Sequence, residues 1–312
     1  MRTYAARRLA VIVPTLAVLA FGIMALASFA PGDPAEQYAR LHSTTGVVTA
    51  AQIAQARHHL GLDRPFVVQY VSWIAGALHA NLGRSFTLQR PVASEIASHI
   101  WPTTELAIVA MALTVALSVP LGVVAAVRHG TLADHGLRVG SLLAASVPGF
   151  FLAYLLIEVF ATRLHLLPVA GESGPGLVLP AATLAAGGIA TASRLLRASL
   201  LEVLGEPHVR TARAKGLSVA QVVVRHALPA AALPVVTVFG TLLGYLLAGS
   251  VIVETIFAWP GLGQLFAQSV SQRDYPMIEG LVVLAGTLFL LINLVVDLAY
   301  RWLDPRVRLA AG

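Results

Sequence analysis

Stretches of about twenty apolar residues recur along this chain, and no other feature of the sequence constrains its fold as strongly. Six of them are long enough to cross the hydrocarbon of a bilayer, which takes roughly 20 residues of α-helix. They cover residues 9–30, 106–127, 137–160, 177–196, 230–253 and 280–299. Backbone amides inside lipid must bond to one another, so segments of this kind fold as helices. The sequence therefore predicts an all-α polytopic membrane protein with six transmembrane helices.

The overall composition argues against a soluble protein. Charged residues make up 12% of the 312, whereas soluble domains hold about 25%. The net charge of +6 could suggest nucleic-acid binding, but the basic residues lie at the ends of apolar segments rather than in one patch. We therefore expect membrane lipid, and not nucleic acid, around these charges. Because the chain has no cysteine, disulfides and thiolate metal sites are excluded.

The basic residues also predict which side of the membrane each loop occupies. With the N-terminus in the cytosol, the inner segments hold 14 of the 21 lysines and arginines and the outer segments hold 7. This bias agrees with the positive-inside rule and places both termini in the cytoplasm. The first apolar segment follows Arg7-Arg8 and resembles a cleavable signal peptide. Since it is longer than the apolar core of a signal peptide, about 7–15 residues, we expect an uncleaved anchor.

Residues 31–99 form the longest polar section and are predicted to lie outside as a series of short helices. Thr49 and Gln52 form a capping box, and Gly61 is typical of the residue that follows a helix. From Pro65 onward, apolar side chains recur on one helical stripe. The stripe consists of Phe66, Tyr70, Trp73, Ile74, Ala77 and Leu78. This helix could lie at the lipid headgroups or pack under a small cap.

The segment 200–229 is the most charged stretch between two apolar segments. Six basic residues lie in it or just before it: Arg194, Arg197, Arg210, Arg213, Lys215 and Arg225. Gly216 follows a run without helix breakers, and Ser218 with Gln221 forms a second capping box. Pro229 marks the start of the next membrane segment. The pattern predicts a short, basic helix–turn–helix that faces water and can be held by a soluble partner.

This segment resembles the coupling loop of binding-protein-dependent ABC importer permeases. The general pattern there is E-A-A, three residues, G, nine residues, then I-x-L-P. Residues 210–212 stand at E-A-A, Gly216 at the glycine, and Leu228-Pro229 at L-P; Arg210 replaces the glutamate and His226 the isoleucine. Other motifs are similar to those of the dipeptide, oligopeptide and nickel subfamily. They are APGDP at 30–34, LGLDRPFVVQY at 60–70, NLGRSF at 81–86, VETIFAWPGLG at 253–263, RDYP at 273–276 and NLVVDLAYRWLDPRVR at 293–308.

The resemblance implies a type I ABC importer permease fold, of the kind found in methionine permeases, in a bacterial cytoplasmic membrane. Residues 1–98 would be an N-terminal transmembrane helix with an extracytoplasmic helical segment. Residues 99–304 would be the permease core, with the coupling loop at 200–229, and 305–312 a cytoplasmic tail. The residues implied to couple to the ATPase are Arg210, Thr211, Ala212, Arg213, Ala214, Lys215, Gly216, Leu217, Leu228 and Pro229. Among these, Ala212, Ala214 and Leu217 would make close contact with the ATPase.

The resemblance also implies the partners and the chemistry. They are a second, homologous permease subunit, two ATP-binding cassette subunits and an extracytoplasmic substrate-binding protein. ATP and Mg²⁺ would be used by the cassette subunits, so this chain would be non-catalytic, bind no cofactor and form half of the translocation pore. Short peptides are the expected substrate. Glutathione and nickel or another metal chelate stay open as alternatives.

Acidic residues near the apolar segments are candidates for the translocation pathway, because a charge in hydrocarbon normally faces a partner or water. Glu254 precedes Pro260 and Gly261, which break the helix while the sequence stays apolar. A broken backbone at that depth must contact protein or a water-filled cavity. Glu254 could therefore line the outer mouth or pair locally, and Glu158 is a second, weaker candidate.

Enzyme motifs are missing from the sequence. There is no G-x-x-x-x-G-K-[ST], H-E-x-x-H or G-x-S-x-G, and the ten histidines show no metal-ligand spacing, so we expect neither a catalytic residue nor a metal site. An ion-coupled secondary transporter is the main rival, but it would need inverted repeats and an acidic relay. A purely structural membrane protein is the third possibility.

Overall fold

The computed structural model describes residues 2–29, 32–43, 47–169, 171 and 174–303, with the side chains of all of these except residues 2–9, 248–249 and 296–303. Within these ranges every regular element is helical, apart from one bridge between Arg84 and Pro91. The α-helices, in chain order, are α1 (Arg2–Phe29), α2 (Pro34–Leu41), α3 (Ala50–His59), α4 (Phe66–Leu78), α5 (Val92–Val127), α6 (Leu132–Ser146), α7 (Gly149–Leu156), α8 (Val178–Leu204), α9 (Pro207–Ala214), α10 (Val219–Val222), α11 (Leu228–Ala231), α12 (Leu233–Gly249), α13 (Val251–Ile256), α14 (Leu262–Ser271) and α15 (Tyr275–Leu303). Short π-helical turns cover Ile157–Arg163 and Val223–Ala227, and a 3₁₀ turn covers Gly174–Leu177. The predicted tail at 305–312 lies outside the described residues.

Four described helices are long and apolar enough to cross a membrane on their own: Ala10–Phe29, Val92–Val127, Gly174–Leu204 and Tyr275–Val295. Two bent pairs meet the same criteria together: Leu132–Ser146 with Gly149–Arg163, and Val219–Ala231 with Leu233–Leu247. When each bent pair is counted as one span, the described chain has six spans. The prediction of an all-α polytopic membrane protein is confirmed.

The predicted third span is not one helix. The chain bends by 102° between α6 and α7, inside the segment predicted to run from 137 to 160. Val147 lies at the bend with an extended backbone, φ −78° and ψ 123°, as expected for a residue before proline. Pro148 also lacks the N–H that would continue α6. The apolar pattern could predict that this segment enters lipid, but not that it turns within it.

The predicted fifth span, 230–253, is also interrupted. It is divided among α11, α12 and α13, with a bend of 56° between the pieces before and after Ala232. Pro234 occupies the first turn of α12, where its missing N–H costs no hydrogen bond. In a continuous helix the ring of Pro234 would clash with the carbonyl of residue 230, so the helix restarts here.

The polar section agrees with its predicted local signals. Thr49 and Gln52 form both hydrogen bonds of a capping box at the start of α3. Gly61 follows that helix with φ +68°, a conformation that favours glycine. Helix α2 was not predicted; Asp33 caps it by accepting the N–H of Ala35.

The chain is helical through position 98, so the division predicted between residues 98 and 99 stays a prediction about the roles of the two parts.

One compact unit consists of Met1–Pro102 with Pro260–Leu290. Its largest apolar cluster joins α5, α14 and α15 through Val92, Ile96, Leu265, Met277 and Leu281. In the same unit, Asp274 is buried and fixes the loop before α5. Its carboxylate accepts the Ser85 hydroxyl and the N–H groups of Phe86 at 3.0 Å and Thr87 at 3.3 Å.

Helix α4 packs against α1 within this unit. The Tyr70 hydroxyl donates to the carbonyl of Ala17 at 2.8 Å, and Phe21 meets the rings of Phe66 and Tyr70 edge to face. The predicted stripe is thus a packing face, although Leu78 at its end is 79% exposed.

The second compact unit consists of Thr103–Trp259 with Leu291–Gly312. Within it, α5 and α8 approach closely at two glycines. A methyl group at Gly122 would lie 2.9 Å from the Ser193 carbonyl oxygen and 3.0 Å from Cβ of Leu196. One at Gly188 would lie 3.0 Å from Thr114. These small residues let the two backbones touch, as is common between helices in membranes.

We expect Gly122→Ala to destabilise the protein because the new methyl group meets a backbone atom that cannot move alone. Overpacking of this kind costs about 1–3 kcal/mol. The measurement is the midpoint of thermal unfolding of the full chain in detergent. Gly136→Ala is the matched control, because nothing lies within 4 Å of that position and alanine favours a helix. If the two variants unfold at the same temperature, the close approach of α5 and α8 is not as described.

Candidate functional site

The basic segment folds as two short helices after the end of α8. Helix α8 continues to Leu204, so the exposed loop begins five residues later than the predicted boundary at 200. Helix α9 starts with Pro207 in its first turn, where the missing N–H of proline costs nothing. Helix α10 then covers Val219–Val222. The predicted helix–turn–helix is confirmed.

Gly216 makes the turn between the two helices. Its φ is +82°, a left-handed conformation that costs other residues roughly 1 kcal/mol or more. Its N–H bonds to the carbonyl of Arg213 at 3.0 Å, which ends α9. The Ser218 hydroxyl then accepts the N–H of Gln221, and the Gln221 side chain accepts the N–H of Ser218. Both predicted signals, the glycine and the capping box, are present.

A small apolar cluster holds α9 in place. Val209, Ala212 and Val222 are 0%, 5% and 1% exposed and form one cluster, flanked by Leu204 and Leu217. Val209 and Ala212 are three residues apart and therefore lie on the same face of α9. The helix is thus attached to the rest of the chain by side chains rather than by its charges.

The opposite face of α9 is basic and exposed. Arg210, Thr211, Arg213, Ala214 and Lys215 are all exposed. No salt bridge within the described residues involves one of these three cations. The expectation for Ala212 needs correction, because that side chain faces the protein's own Val209 and Val222 instead of a partner. Ala214 is exposed and Leu217 half-buried.

The end of the loop leads directly into the next membrane segment. Val223–Ala227 form a π-helical turn, and α11 begins at Leu228, with Pro229 in its first turn. Ala227 and Ala231 are buried in the cluster that contains Leu196 and Leu200 of α8. The chain therefore enters and leaves the loop through one packed cluster.

A buried ion pair lies at the base of the loop. Nε and Nη2 of Arg197 donate to the two carboxylate oxygens of Asp134 at 2.6 and 2.8 Å. The Asp134 side chain is 1% exposed and that of Arg197 16%. Asp134 also accepts the N–H of Gly130 at 3.0 Å, and Thr131 caps α6. The pair thereby joins the predicted inner turn before α6 to the last turns of α8.

Glu254 is fully buried and pairs locally. Its Oε1 accepts the Thr103 hydroxyl at 2.9 Å and also the Ser250 hydroxyl. Of the two roles that the sequence left open, this arrangement corresponds to the local one. Glu158 also has a local partner, because Arg163 donates to it at 2.9 Å within the π-helical turn, and its side chain is 49% exposed.

The predicted helix break after Glu254 is present. Helix α13 ends at Ile256 and α14 begins at Leu262. Pro260 and Gly261 lie in the non-helical stretch, with Gly261 extended and buried before α14. Gly263, two residues later, lies inside α14.

Sequence comparison supplies the family. The family described as "Binding-protein-dependent transport system inner membrane component" matches residues 118–309, and its N-terminal component family matches residues 1–107. The chain belongs to this family of inner membrane permease components.

Relatives cover nearly the whole permease. The glutathione transport system permease protein GsiC of Escherichia coli K12 is 40% identical over 310 residues, 99% of each chain. The protein of the same name from Salmonella choleraesuis SC-B67 is 41% identical over 312 residues, again 99% of each chain. The sequence-based assignment to the dipeptide, oligopeptide and nickel group of ABC importer permeases is confirmed.

Solved structures support the fold. An inward-facing structure of the MetNI methionine ABC transporter matches with a TM-score of 0.57 and 22% identity, covering 67% of this chain and 96% of that one. An amino acid ABC transporter with histidines matches with a TM-score of 0.54 and 18% identity, covering 67% and 94%. The predicted type I importer permease fold is confirmed.

The sequence analysis missed the pairing of Asp134 with Arg197. Arg197 was counted among the loop's cations, and Asp134 was not singled out. Two signals were available: the T-x-x-D capping pattern of Thr131 and Asp134, and an arginine directly after the apolar segment 177–196, where a charge close to lipid calls for a partner.

We expect Arg197→Ala to lower the unfolding temperature of the permease clearly more than Arg194→Ala does, because it leaves the Asp134 carboxylate without its cation. Arg194→Ala is the control, since Arg194 lies one turn earlier and bonds only to the carbonyl of Ala190 in its own helix. Both variants remove one positive charge from the second half of α8. Any effect of that charge on the membrane topology is therefore the same in the two. Thermal unfolding in detergent measures the difference, and similar losses for both would contradict a structural role for the pair.

Proposed function

We propose that this permease forms half of the translocation pore of an ATP-driven importer for short peptides, and that α9 is the element through which the ATPase acts on it. The observation that supports the proposal best is the arrangement of α9, which is packed on one face and basic and exposed on the other. Substrate uptake by variants of α9 tests it.

The coupling mechanism follows from how the loop is built. A partner that holds the exposed face of α9 pulls on α8 and α11 together, because Leu200, Ala227 and Ala231 share one buried cluster. Such a partner shifts the permease between inward- and outward-open states only if it binds the two with different affinities. Arg210, Arg213 and Lys215 favour an acidic docking surface, with Ala214 and Gly216 allowing close approach. Leu217, Leu228 and Pro229 would hold the loop in position.

The proposed function also requires other subunits. A second, homologous permease would complete the pore, and two ATP-binding cassette subunits would bind ATP and Mg²⁺. An extracytoplasmic protein would deliver the substrate. The permease itself would bind no cofactor, hold no metal and catalyse no reaction. Both termini and α9 would lie in the cytoplasm, which the distribution of basic residues supports.

We propose short peptides as the substrate class, and within it glutathione is a specific candidate. The name of the 40–41% identical relatives over 99% of the chain favours glutathione. Nickel and other metal chelates remain the alternative. Glu254, Glu158, Pro260 and Gly261 remain proposed pathway residues, with Glu254 reaching the pathway only if its bonds to Thr103 and Ser250 open.

The substrate proposal predicts the outcome of a competition experiment. The permease would be expressed with its partner subunits in a strain that lacks other peptide importers, and uptake of labelled glutathione measured. We expect unlabelled glutathione and di- or tripeptides to reduce uptake, whereas a tenfold excess of a nickel chelate leaves it unchanged. Inhibition by the nickel chelate alone would favour the alternative substrate.

Replacing each of two alanines in α9 separates the folding of this helix from the docking of the ATPase to it. Ala212→Arg places a charge in the apolar cluster with Val209 and Val222. We therefore expect α9 to lose its packed position and ATP-dependent uptake to be lost. Ala214→Arg adds the same charge to the exposed face. We expect that variant to unfold at the normal temperature but to show weaker uptake and little substrate-stimulated ATP hydrolysis. Gly216→Pro should resemble Ala212→Arg, because proline cannot adopt φ +82°.

The control for added charge is Ala220→Arg, at an exposed position on α10. Normal ATP-dependent uptake by both Ala214→Arg and Gly216→Pro would overturn the assignment of α9 as the coupling element. Uptake by the purified permease with an ion gradient and no ATPase would favour a secondary transporter instead.

A further inference from the structure

A large cavity lies in the unit formed by residues 1–102 and 260–290, away from the basic loop in sequence. Its volume is about 1280 Å³. It is lined by the C-terminal end of α1, by α4, by the first turns of α15 and by parts of the loops at 57–64 and 81–89. All of these belong to one compact unit. The proposed translocation and coupling residues do not line it.

The lining changes from apolar side chains within α1 to charged side chains on the segments that follow it in the chain. Phe21 and Met24 line the cavity from within α1, and Phe21 lies about 12 Å below the end of that helix at 1.5 Å per residue. Arg57 lines it from the last turn of α3, and Arg64 and Arg84 line it from the segments that follow α3 and α4. A ligand that fills the cavity must therefore have an apolar part on the membrane side and a polar part at the surface.

Two exposed cations of the lining have no counter-ion among the described residues. Arg64 has no ion pair or hydrogen bond from its guanidinium in that part of the chain. Arg84 bonds only to the carbonyl of Gln89. The cavity therefore presents two positive charges to an anionic group of a ligand.

Two acids line the same cavity, and one of them, Asp33, is paired with Arg57. Glu279 lies on the second turn of α15, about 6 Å inside its first residue, and no cation of the described chain pairs with it. The lining thus offers cations at the surface and a carboxyl group slightly deeper. These charges could bind a ligand that carries both a negative and a positive group.

We propose that this cavity is a binding site for a phospholipid with a primary ammonium headgroup, such as phosphatidylethanolamine. The phosphate would lie at Arg64 and Arg84, and the ammonium group at Glu279. The acyl chain would lie along Phe21 and Met24.

A lipid fits the surroundings better than a soluble zwitterion such as a peptide. The apolar part of α1 is only 11% buried inside the protein, so its side chains meet hydrocarbon. On α4, Val67 and Val71 are 64% and 57% exposed on the face away from α1. A soluble peptide would gain little from Phe21 and Met24, whereas an acyl chain would bury its own apolar surface against them.

The test measures lipid binding to the full chain in detergent by native mass spectrometry, with phosphatidylethanolamine, phosphatidylcholine and phosphatidylglycerol of identical acyl chains. We expect phosphatidylethanolamine to bind at least about fivefold more tightly than the other two. Phosphatidylcholine has no N–H to donate to Glu279, and phosphatidylglycerol has no cation. Glu279→Gln should abolish this preference, and Arg64→Gln should weaken all three lipids about tenfold.

Arg40→Gln is the control, because Arg40 is an exposed cation on α2 that pairs with Glu36 outside the cavity. Equal binding of the three headgroups, or an unchanged preference in Glu279→Gln, would overturn the proposal. Displacement of the lipid by a soluble zwitterionic peptide at equal concentration would also overturn it, in favour of a peptide site.

Discussion

The hydrocarbon of the membrane cannot hydrogen-bond to a peptide group, and this constraint shapes the whole permease. It explains why every regular element in the described chain is helical and why each helix break needs a local solution. At Pro148 and Pro234 the residue that breaks one helix also lies where the next helix has no need of its N–H. At Ser250, the hydroxyl bonds to the buried Glu254 within the next turn. The breaks that allow the bundle to bend are thus placed where few backbone groups lose a partner.

Helix α9, the proposed coupling element, follows a different rule, because its exposed face is charged. Three small or branched side chains, Val209, Ala212 and Val222, fix its position, and its charges take no part in that packing. The exposed face is therefore free to match whatever acidic surface a partner presents. The replacement of the family's glutamate by Arg210 is compatible with this separation, since Arg210 lies on the exposed face and its change leaves the packed face intact.

Much of this architecture could be predicted from the sequence, and the limits of that prediction have physical causes. Apolar length predicts which segments enter the membrane, and capping boxes at Thr49 and Ser218 act between neighbours in the chain, so both signals are local. The bend at Val147 could not be predicted from hydropathy, because it changes the direction of a helix and not its polarity. The burial of Ala212 depends on Val222 ten residues later, and the pairing of Asp134 with Arg197 spans 63 residues. Contacts of that kind depend on tertiary packing that no periodic pattern records.

The ion pair between Asp134 and Arg197 has a consequence for biosynthesis. The chain emerges N-terminus first, so the aspartate is positioned before the segment that carries its arginine is made. An arginine near the middle of a membrane helix raises the free energy of insertion by about 2.5–3.5 kcal/mol, and here it lies towards the end of α8, where the cost is smaller. A carboxylate already in place next to the end of α8 lowers that cost further. Helix α8 would thus enter the bilayer as the second half of a helical hairpin whose first half already carries the Asp134 carboxylate.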